Sequence, residues 1–300
     1  MVRQVEAKVR SNGIDIHYVD MGNLQAEPVL LVMGLACQLT AWPDSLVTQL
    51  LDAGYRVIVF DNRDIGLSTE IDARLNNAPP VAFLKFKLGL SVQAPYSLFH
   101  MAEDAVGLLS ALGIESAHIV GVSMGGMITQ ILSACYPQRV RSATIIMSSD
   151  NHRSNPTPDL QVLWKLNGGG IKGHDLDAAT ARGLAFWQVV QSPDYPTDSE
   201  QVRLRIQQNY HRSYRPAGIL RQMRAIMATG NLRPLHDKIL QPVQVIHGDA
   251  DPLVKLPCGQ SLADRIRHSE FHVVKGMGHD LPDKLMPRIA DLIDSTIRRT

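Results

Sequence analysis

The sequence predicts an α/β architecture, a mostly parallel sheet flanked by helices on both faces with a helical subdomain inserted late in the chain. Three observations carry that reading. Short apolar strand patterns alternate with helical patterns along most of the 300 residues. One stretch, residues 150–241, breaks the alternation with several helical patterns and no strand pattern. And at one strand-to-helix junction, "HIVGVSMGGMITQ", a serine stands between two glycines as Gly121-Val122-Ser123-Met124-Gly125.

Each element has its own warrant. The chain opens on two strands, "EAKVR" and "IDIHYV", joined through Ser11-Asn12-Gly13, where Asn-Gly supplies the positive φ angles of a tight hairpin. "VLLVMG", a helix over about residues 42–53 and "YRVIVFD" follow, the strands apolar throughout as a sheet covered on both faces requires. The next segment, "NNAPPVAFLKFKLGLSVQAPY", is apolar for a loop, with Phe83, Leu84, Phe86, Leu88 and Leu90. It predicts either a pocket wall folded against the insertion or a short buried helix. Met101, Ala105, Leu108, Leu109 and Leu112 then share one helical face, with Gly113 placed as its cap. "AHIVGV" is the fifth strand, and the helix after Ser123 ends near Tyr136 because Pro137 cannot continue it. "SATIIMSS" is the sixth strand. After the insertion come "VQVIHGD", "EFHVV" and an amphipathic helix over residues 284–299, with Arg298 and Arg299 read as a solvated tail.

The expected organisation is therefore a core in two parts, residues 1–149 and 242–300, and a helical cap over residues 150–241, inserted after the sixth strand. Trp164, Phe186, Trp187, Tyr195, Tyr210, Tyr214, Met223 and Met227 belong to the cap. Most are expected to form its own core, and a few to face a pocket.

Composition narrows the function classes. Lys and Arg number 30 against 29 Asp and Glu, so no excess field draws nucleic acid or an anionic membrane surface, and a small neutral partner fits better. The N-terminal residues alternate charged and apolar types, unlike a secretory signal, and the apolar run at residues 29–36 is too short to span a bilayer, which predicts a cytoplasmic protein. Cys37, Cys135 and Cys258 are an odd count at wide spacing, read as buried small hydrophobes rather than a zinc site. No metal or other cofactor is expected, and "NGGGIKG" lacks the Lys-Ser/Thr of a phosphate loop. Nothing in the pattern fixes an oligomeric state.

The serine junction is where chemistry enters. A hydroxyl is a weak nucleophile that needs a base, an acid to orient the base, and donors for the developing oxyanion. Gly-x-Ser-x-Gly permits a strained turn with the hydroxyl at its tip, and the following helix aims its positive end at negative charge. His279 in "VVKGMGHDLPDK" follows a late strand and is the expected base; His118, His247 and His272 fall within strands, and the seven others lie in helical, hairpin or cap segments. "VIHGDADPLVK" ends a strand with two carboxylates. Asp251, farther out and before Pro252, is preferred over Asp249, which is better placed to pin the loop backbone; Asp280 is too close to His279 to reach round to its ring. A histidine base predicts activity that rises through roughly pH 6 to 7, where an ordinary imidazole loses its proton.

The order Ser123, Asp251, His279 and the stretches "LLVMGL", "FDNRDIGLS", "HIVGVSMGGM", "VQVIHGDADPLV" and "GMGHDLP" resemble the α/β-hydrolase family over nearly the whole chain outside the cap. Within it, "LLVMGLACQLTAWPDSLVTQL" is similar to the aclacinomycin methylesterase-like group. The resemblance implies a serine hydrolase whose oxyanion hole is the backbone N–H of Leu35 and Met124. Many members carry His-Gly after the third strand; here the pair is Met33-Gly34, as in the methylesterase-like group. Gly34, Cys37, Met277 and, from the cap, Trp187 are the substrate-facing candidates, with Met33 and Met127 nearby.

The expected activity is hydrolysis of short- to medium-chain carboxylic esters, extending to lactones or polyesters, on a small-molecule substrate. The serine argues against dehalogenases and epoxide hydrolases, which use aspartate at the elbow. Carbon–carbon bond hydrolases and cofactor-free haloperoxidases keep the serine; the long cap favours the former of these two. A non-catalytic ligand receptor is the rival from outside enzymology, and multiple turnovers would separate it.

Overall fold

Asn12 and Gly13 take left-handed angles, φ 46° and 79°, and close a hairpin between β1 (Gln4–Ser11) and β2 (Ile14–Met21), with Ser11 opposite Ile14. The structure is a computed structural model that describes residues 3–75 and 79–300. The hairpin forms one edge of an eight-stranded sheet with β3 (Pro28–Val32), β4 (Arg56–Phe60), β5 (Ala117–Val122), β6 (Val140–Ile146), β7 (Val243–Gly248) and β8 (Ser269–Val274). The order is β1-β2-β4-β3-β5-β6-β7-β8, and every pairing from β4 to β8 is parallel.

Alternation along the strands divides the core in two. Leu30, Val32, Ile58, Phe60 and Ile119 point to one face, beneath α3 (Leu98–Ala111), α4 (Met124–Cys135) and α9 (Leu256–Arg265). Val29, Leu31, Val57, Val59 and Val120 point to the other, beneath α1 (Asp44–Asp52) and α10 (Met286–Ile297). Each such buried aliphatic side chain contributes about 1.5–3 kcal/mol of transfer free energy, which is why both layers hold the sheet. Gly113, at φ 68°, sits just past α3, and Tyr136 closes α4 before Pro137.

Between β6 and β7 the chain inserts α5 (Leu160–Leu166), α6 (Leu176–Val190), α7 (Ser199–Arg212) and α8 (Pro216–Thr229). Of the two readings of the apolar segment after β4, a pocket wall folded against the insertion or a short buried helix, the second fails: the segment forms α2 (Pro79–Lys87), which packs on α8, and Val81 and Leu84 on it and Leu88 and Leu90 beyond it are exposed. Its residues 76–78 lie outside the described residues. One expectation about the cap also needs correction. Trp164, expected in the cap core, is 55% exposed on α5. Among the cysteines, Cys258 is buried but Cys135 is exposed, at the last turn of α4. Arg299 is not a free tail either, since it pairs with Glu270 and caps the Val243 carbonyl.

The topology also places the site. β3 lies between β4 and β5, so the chain turns to opposite sides as it leaves these strands and opens a crevice at their carboxyl ends. Gly34 and Ser123 stand at that crevice.

Candidate active site

β5 delivers Ser123 into a corner with φ 55° and ψ −117°, a conformation a non-glycine residue keeps only when its surroundings over-determine it. They do. Ser123 N–H donates to Ile146 O at 2.9 Å, and its carbonyl accepts from Ser148 Oγ at 2.7 Å and from Gly126 N–H at 2.9 Å. The flanking glycines are sterically required: a Cβ at Gly125 would overlap the Val32 carbonyl, and one at Gly121 would overlap Thr129 Oγ1 and the Gly125 carbonyl.

The loops after β7 and β8 bring in the partners. Asp251, 3% exposed, accepts at Oδ1 from Leu253 and Val254 N–H at 2.9 and 2.8 Å, which orients its carboxylate. Its Oδ2 lies 2.6 Å from His279 Nδ1. A carboxylate there holds the proton on Nδ1, so Nε2 is left as the acceptor for Ser123 Oγ–H, 3.0 Å away. Ser123, Asp251 and His279 are thus brought together in one hydrogen-bonded line. Asp249 instead accepts from Gly276 N–H at 2.6 Å, and Asp280 is held by Ser192. Burial raises the Asp280 carboxyl, against the lowering effect of its Ser192 hydrogen bonds.

The competing histidines have other employment. His118 on β5 meets Ser142 Oγ at 2.8 Å, and burial brings it down to about 4. His247 on β7 is buried beside Asp251 and donates from Nε2 to Val254 O at 2.7 Å; burial lowers its pKa, which keeps it neutral.

Gly34 packs so closely on the serine that a Cβ there would sit 3.2 Å from Ser123 Cβ. The N–H groups of Leu35 and Met124 flank this point, and neither has a protein acceptor among the described residues. Met124 opens α4, whose first N–H groups are unpaired by construction. Cys37 is on the same loop; burial pushes its thiol up to about 11, so it stays protonated and is no rival nucleophile. Met277, the fourth substrate-facing candidate, is fully buried and packs in the core layer under α1 and α10. Trp187 is half-buried on α6.

The insertion is clamped to both sides of this site. His279 N–H donates to Val190 O at 2.7 Å, and Ser192 Oγ accepts from Gly278 N–H at 2.8 Å. On the other side, Arg212 of α7 pairs with Asp61 at 2.8 Å, and Arg221 of α8 pairs with Asp64 at 2.8 Å. Burial alone would raise Asp61, but hydrogen bonds from His17, Arg212 and the Leu39 and Leu67 N–H groups outweigh it and hold the carboxyl below its usual range. Sequence reasoning missed these clamps. The available signal was "DNRD", four consecutive polar residues directly after a buried strand, all buried here.

A groove of about 580 Å³ lined by Leu256, Gln260, Ser261 and Arg265 runs along α9 and includes none of the three aligned residues. Among the described residues no group of three or more His, Cys, Asp or Glu side chains is gathered as a metal site would need. No helix of the described residues is long and apolar enough to cross a membrane.

Comparison with known proteins agrees with this fold. The family profile described as the alpha/beta hydrolase fold matches residues 27–283. A rhodomycin D methylesterase from Streptomyces sp. strain C5 is 26% identical, with 94% of this chain and 92% of that protein covered. Among solved structures, an enol-lactonase from Burkholderia xenovorans superposes with a TM-score of 0.73 at 20% identity, covering 97% of this chain and 98% of that one. A thermophilic esterase from Thermogutta terrifontis gives 0.70 at 21% identity, with 98% of each chain covered.

Proposed function

The chain belongs to the alpha/beta hydrolase family, and on that premise we propose that it is a serine carboxylesterase acting on short- to medium-chain esters, with lactones or soluble polyesters as related substrates. The observation that carries the reading is the line Ser123 Oγ, His279 Nε2, His279 Nδ1, Asp251 Oδ2, with gaps of 3.0 and 2.6 Å, on a strained elbow. Similarity to a protein named as a methylesterase supports the ester bond as the target.

In this mechanism Ser123 Oγ attacks the ester carbonyl carbon while His279 Nε2 takes its proton, and Asp251 stabilises the imidazolium so formed. The carbonyl oxygen, now negative, is received by the N–H groups of Leu35 and Met124. Collapse of the tetrahedral intermediate expels the alcohol, protonated by His279, and leaves an acyl group on Ser123. Water, deprotonated by His279, attacks the acyl-enzyme and releases the acid. Gly34 and Cys37 on the core side and Trp187 on the cap side are the proposed substrate contacts, with residues 150–241 acting as a cap over a core of residues 1–149 and 242–300.

The test is steady-state hydrolysis of p-nitrophenyl esters from acetyl to decanoyl by wild type and Ser123→Ala. The reading expects multiple turnovers with a short- to medium-chain optimum, abolished by the substitution. No turnover on any ester, or one slow burst, would count against it and direct attention to carbon–carbon bond substrates or a receptor.

A further inference from the structure

The loop that carries Leu35 is held by the insertion as much as by the sheet. Its first carbonyl, Met33 O, accepts from buried Asn62 Nδ2 at 3.0 Å, a core contact. Three residues past Leu35, however, the ties turn upward. Gln38 Nε2 donates to the carbonyls of Asn209 and Ser213, at 2.7 and 2.9 Å, where α7 ends. Between these lies Ala36, a non-glycine residue at φ 65°, whose N–H donates to Gln222 Oε1 of α8 at 3.1 Å.

Gln222 is 0% exposed, and its other end donates from Nε2 to Arg63 O at 2.8 Å. Only one orientation of the amide satisfies both neighbours, since an N–H needs an acceptor and a carbonyl needs a donor. Arg63 is itself fixed in the core by two bonds to Asp104, at 2.6 and 2.5 Å. The side chain is therefore a staple from an anchored backbone to a strained one. Leu35 N–H has no protein acceptor among the described residues, and its own peptide unit is tied within the loop by a long bond, Cys37 N–H to the Gly34 carbonyl at 3.4 Å, between the units that Asn62 and Gln222 hold.

We propose that Gln222 is a positioning residue for the oxyanion hole: by holding the Ala36 N–H from the cap, it fixes the direction of the Leu35 N–H and makes seating of α8 a condition for transition-state stabilisation. The inference rests on the reading of Leu35 as an oxyanion donor. It distinguishes two roles for a cap, one that only shapes a pocket and one that completes the catalytic geometry. A shaping residue changes substrate affinity, whereas a residue that aims a donor acts on the transition state alone.

The experiment compares Gln222→Met, which keeps length but loses the acceptor, Gln222→Asn, which is one methylene too short to span both partners, and Gln222→Glu, which keeps the acceptor and, as the neutral acid that burial favours, a donor for the Arg63 carbonyl. Active sites are counted by the p-nitrophenol burst, and kcat per active site, KM and the affinity of an alkyl boronic acid are measured. The boronic acid forms a tetrahedral adduct on the serine and places an oxygen in the hole. Loss of a full oxyanion donor costs about 10²–10³ in kcat, so misaiming one is expected to cost about 10- to 100-fold. Met and Asn variants should show that loss per active site, a matching loss of boronate affinity, and a KM within about 3-fold, while Glu retains most of the activity. If Gln222→Met does not fold, Gln222→Asn carries the comparison.

Unchanged kcat per site and boronate affinity in the Met or Asn variant would overturn the inference, whatever happens to the number of active sites. So would a Glu variant as impaired as the Met variant. A wild-type enzyme with no turnover, or turnover surviving Ser123→Ala, would instead refute the esterase reading itself and remove the basis of this one.

Discussion

Asp251 Oδ2 stands 2.6 Å from His279 Nδ1, while Asp249, two residues earlier, gives its carboxylate to the Gly276 N–H. The two carboxylates divide the work of one loop, one orienting the imidazole and one holding the turn that presents it. Asp251→Asn places an amide where the proton on Nδ1 is needed, and kcat should fall about 10³-fold or more. Asp249→Asn should cost far less. The check is kcat for both variants on one ester; the reverse ranking would mean that the orienting acid is misassigned.

The elbow makes a steric prediction. Alanine at Gly125 must displace the Val32 carbonyl, and backbone cannot swing aside as a flexible side chain can. Gly125→Ala should destabilise the fold by at least about 1–3 kcal/mol, the usual range for forced overpacking. Alanine at Gly113, where nothing lies within 4 Å of a Cβ and only the φ of 68° is strained, should cost less. Urea denaturation of the two variants measures the difference.

How much of this was legible in the chain depends on whether the cause was local. Asn12-Gly13 forces a hairpin by its own dihedral preferences, Gly121 and Gly125 mark a tight corner, and strand alternation sorts Leu30 from Leu31 without further help. The geometric meeting of Ser123, Asp251 and His279 follows from their places at the carboxyl ends of parallel strands. The clamps have no such local sign. Gln222 and Arg221 sit in a helix whose sequence pattern singles out neither of them, and their partners lie more than 140 residues earlier. Trp164, Leu84 of α2, and Leu88 and Leu90 after it misled for the complementary reason, since an apolar side chain does not say whether anything covers it.

The Arg221–Asp64 pair ties the insertion to the core in a buried setting, with Arg221 5% exposed and Tyr96 also donating to Asp64. Arg221→Met leaves a buried carboxylate without its cation and should lower stability by about 3–5 kcal/mol, the range for breaking one side of a buried pair. Asp64→Asn added to that variant should recover part of the loss. Both are read by chemical denaturation, and an Arg221→Met protein as stable as wild type would show the pair to be dispensable.

Acid should weaken the fold through its buried histidines, His118 and His236 together with the likewise lowered His247, before most carboxylates matter. Burial brings His118 and His236 down to about 4. The unfolded chain, with an ordinary value near 6.5, binds protons first, so their contribution is complete above about pH 6.5 and is lost as pH falls toward 4. Asp280 and Asp104, both raised by burial, act in the opposite sense as they protonate, and the depressed Asp61 and Asp150 lose their contribution as pH falls through the ordinary carboxylate range and below it. The melting temperature should be level at neutral pH and decline from about pH 6.5 to 4.5, with a shallower decline in His236→Gln. A decline that begins only below about pH 4 would assign acid sensitivity to carboxylates instead.

The most direct test of the account is to trap the covalent intermediate. Wild type mixed with a p-nitrophenyl ester, quenched in acid within the burst and digested, should carry the acyl group on the peptide that contains Ser123. His279→Ala should acylate at least about 10³-fold more slowly, and Ser123→Ala should carry no acyl group. Acylation of a different residue, or ester turnover by Ser123→Ala at a rate comparable to wild type, would contradict it.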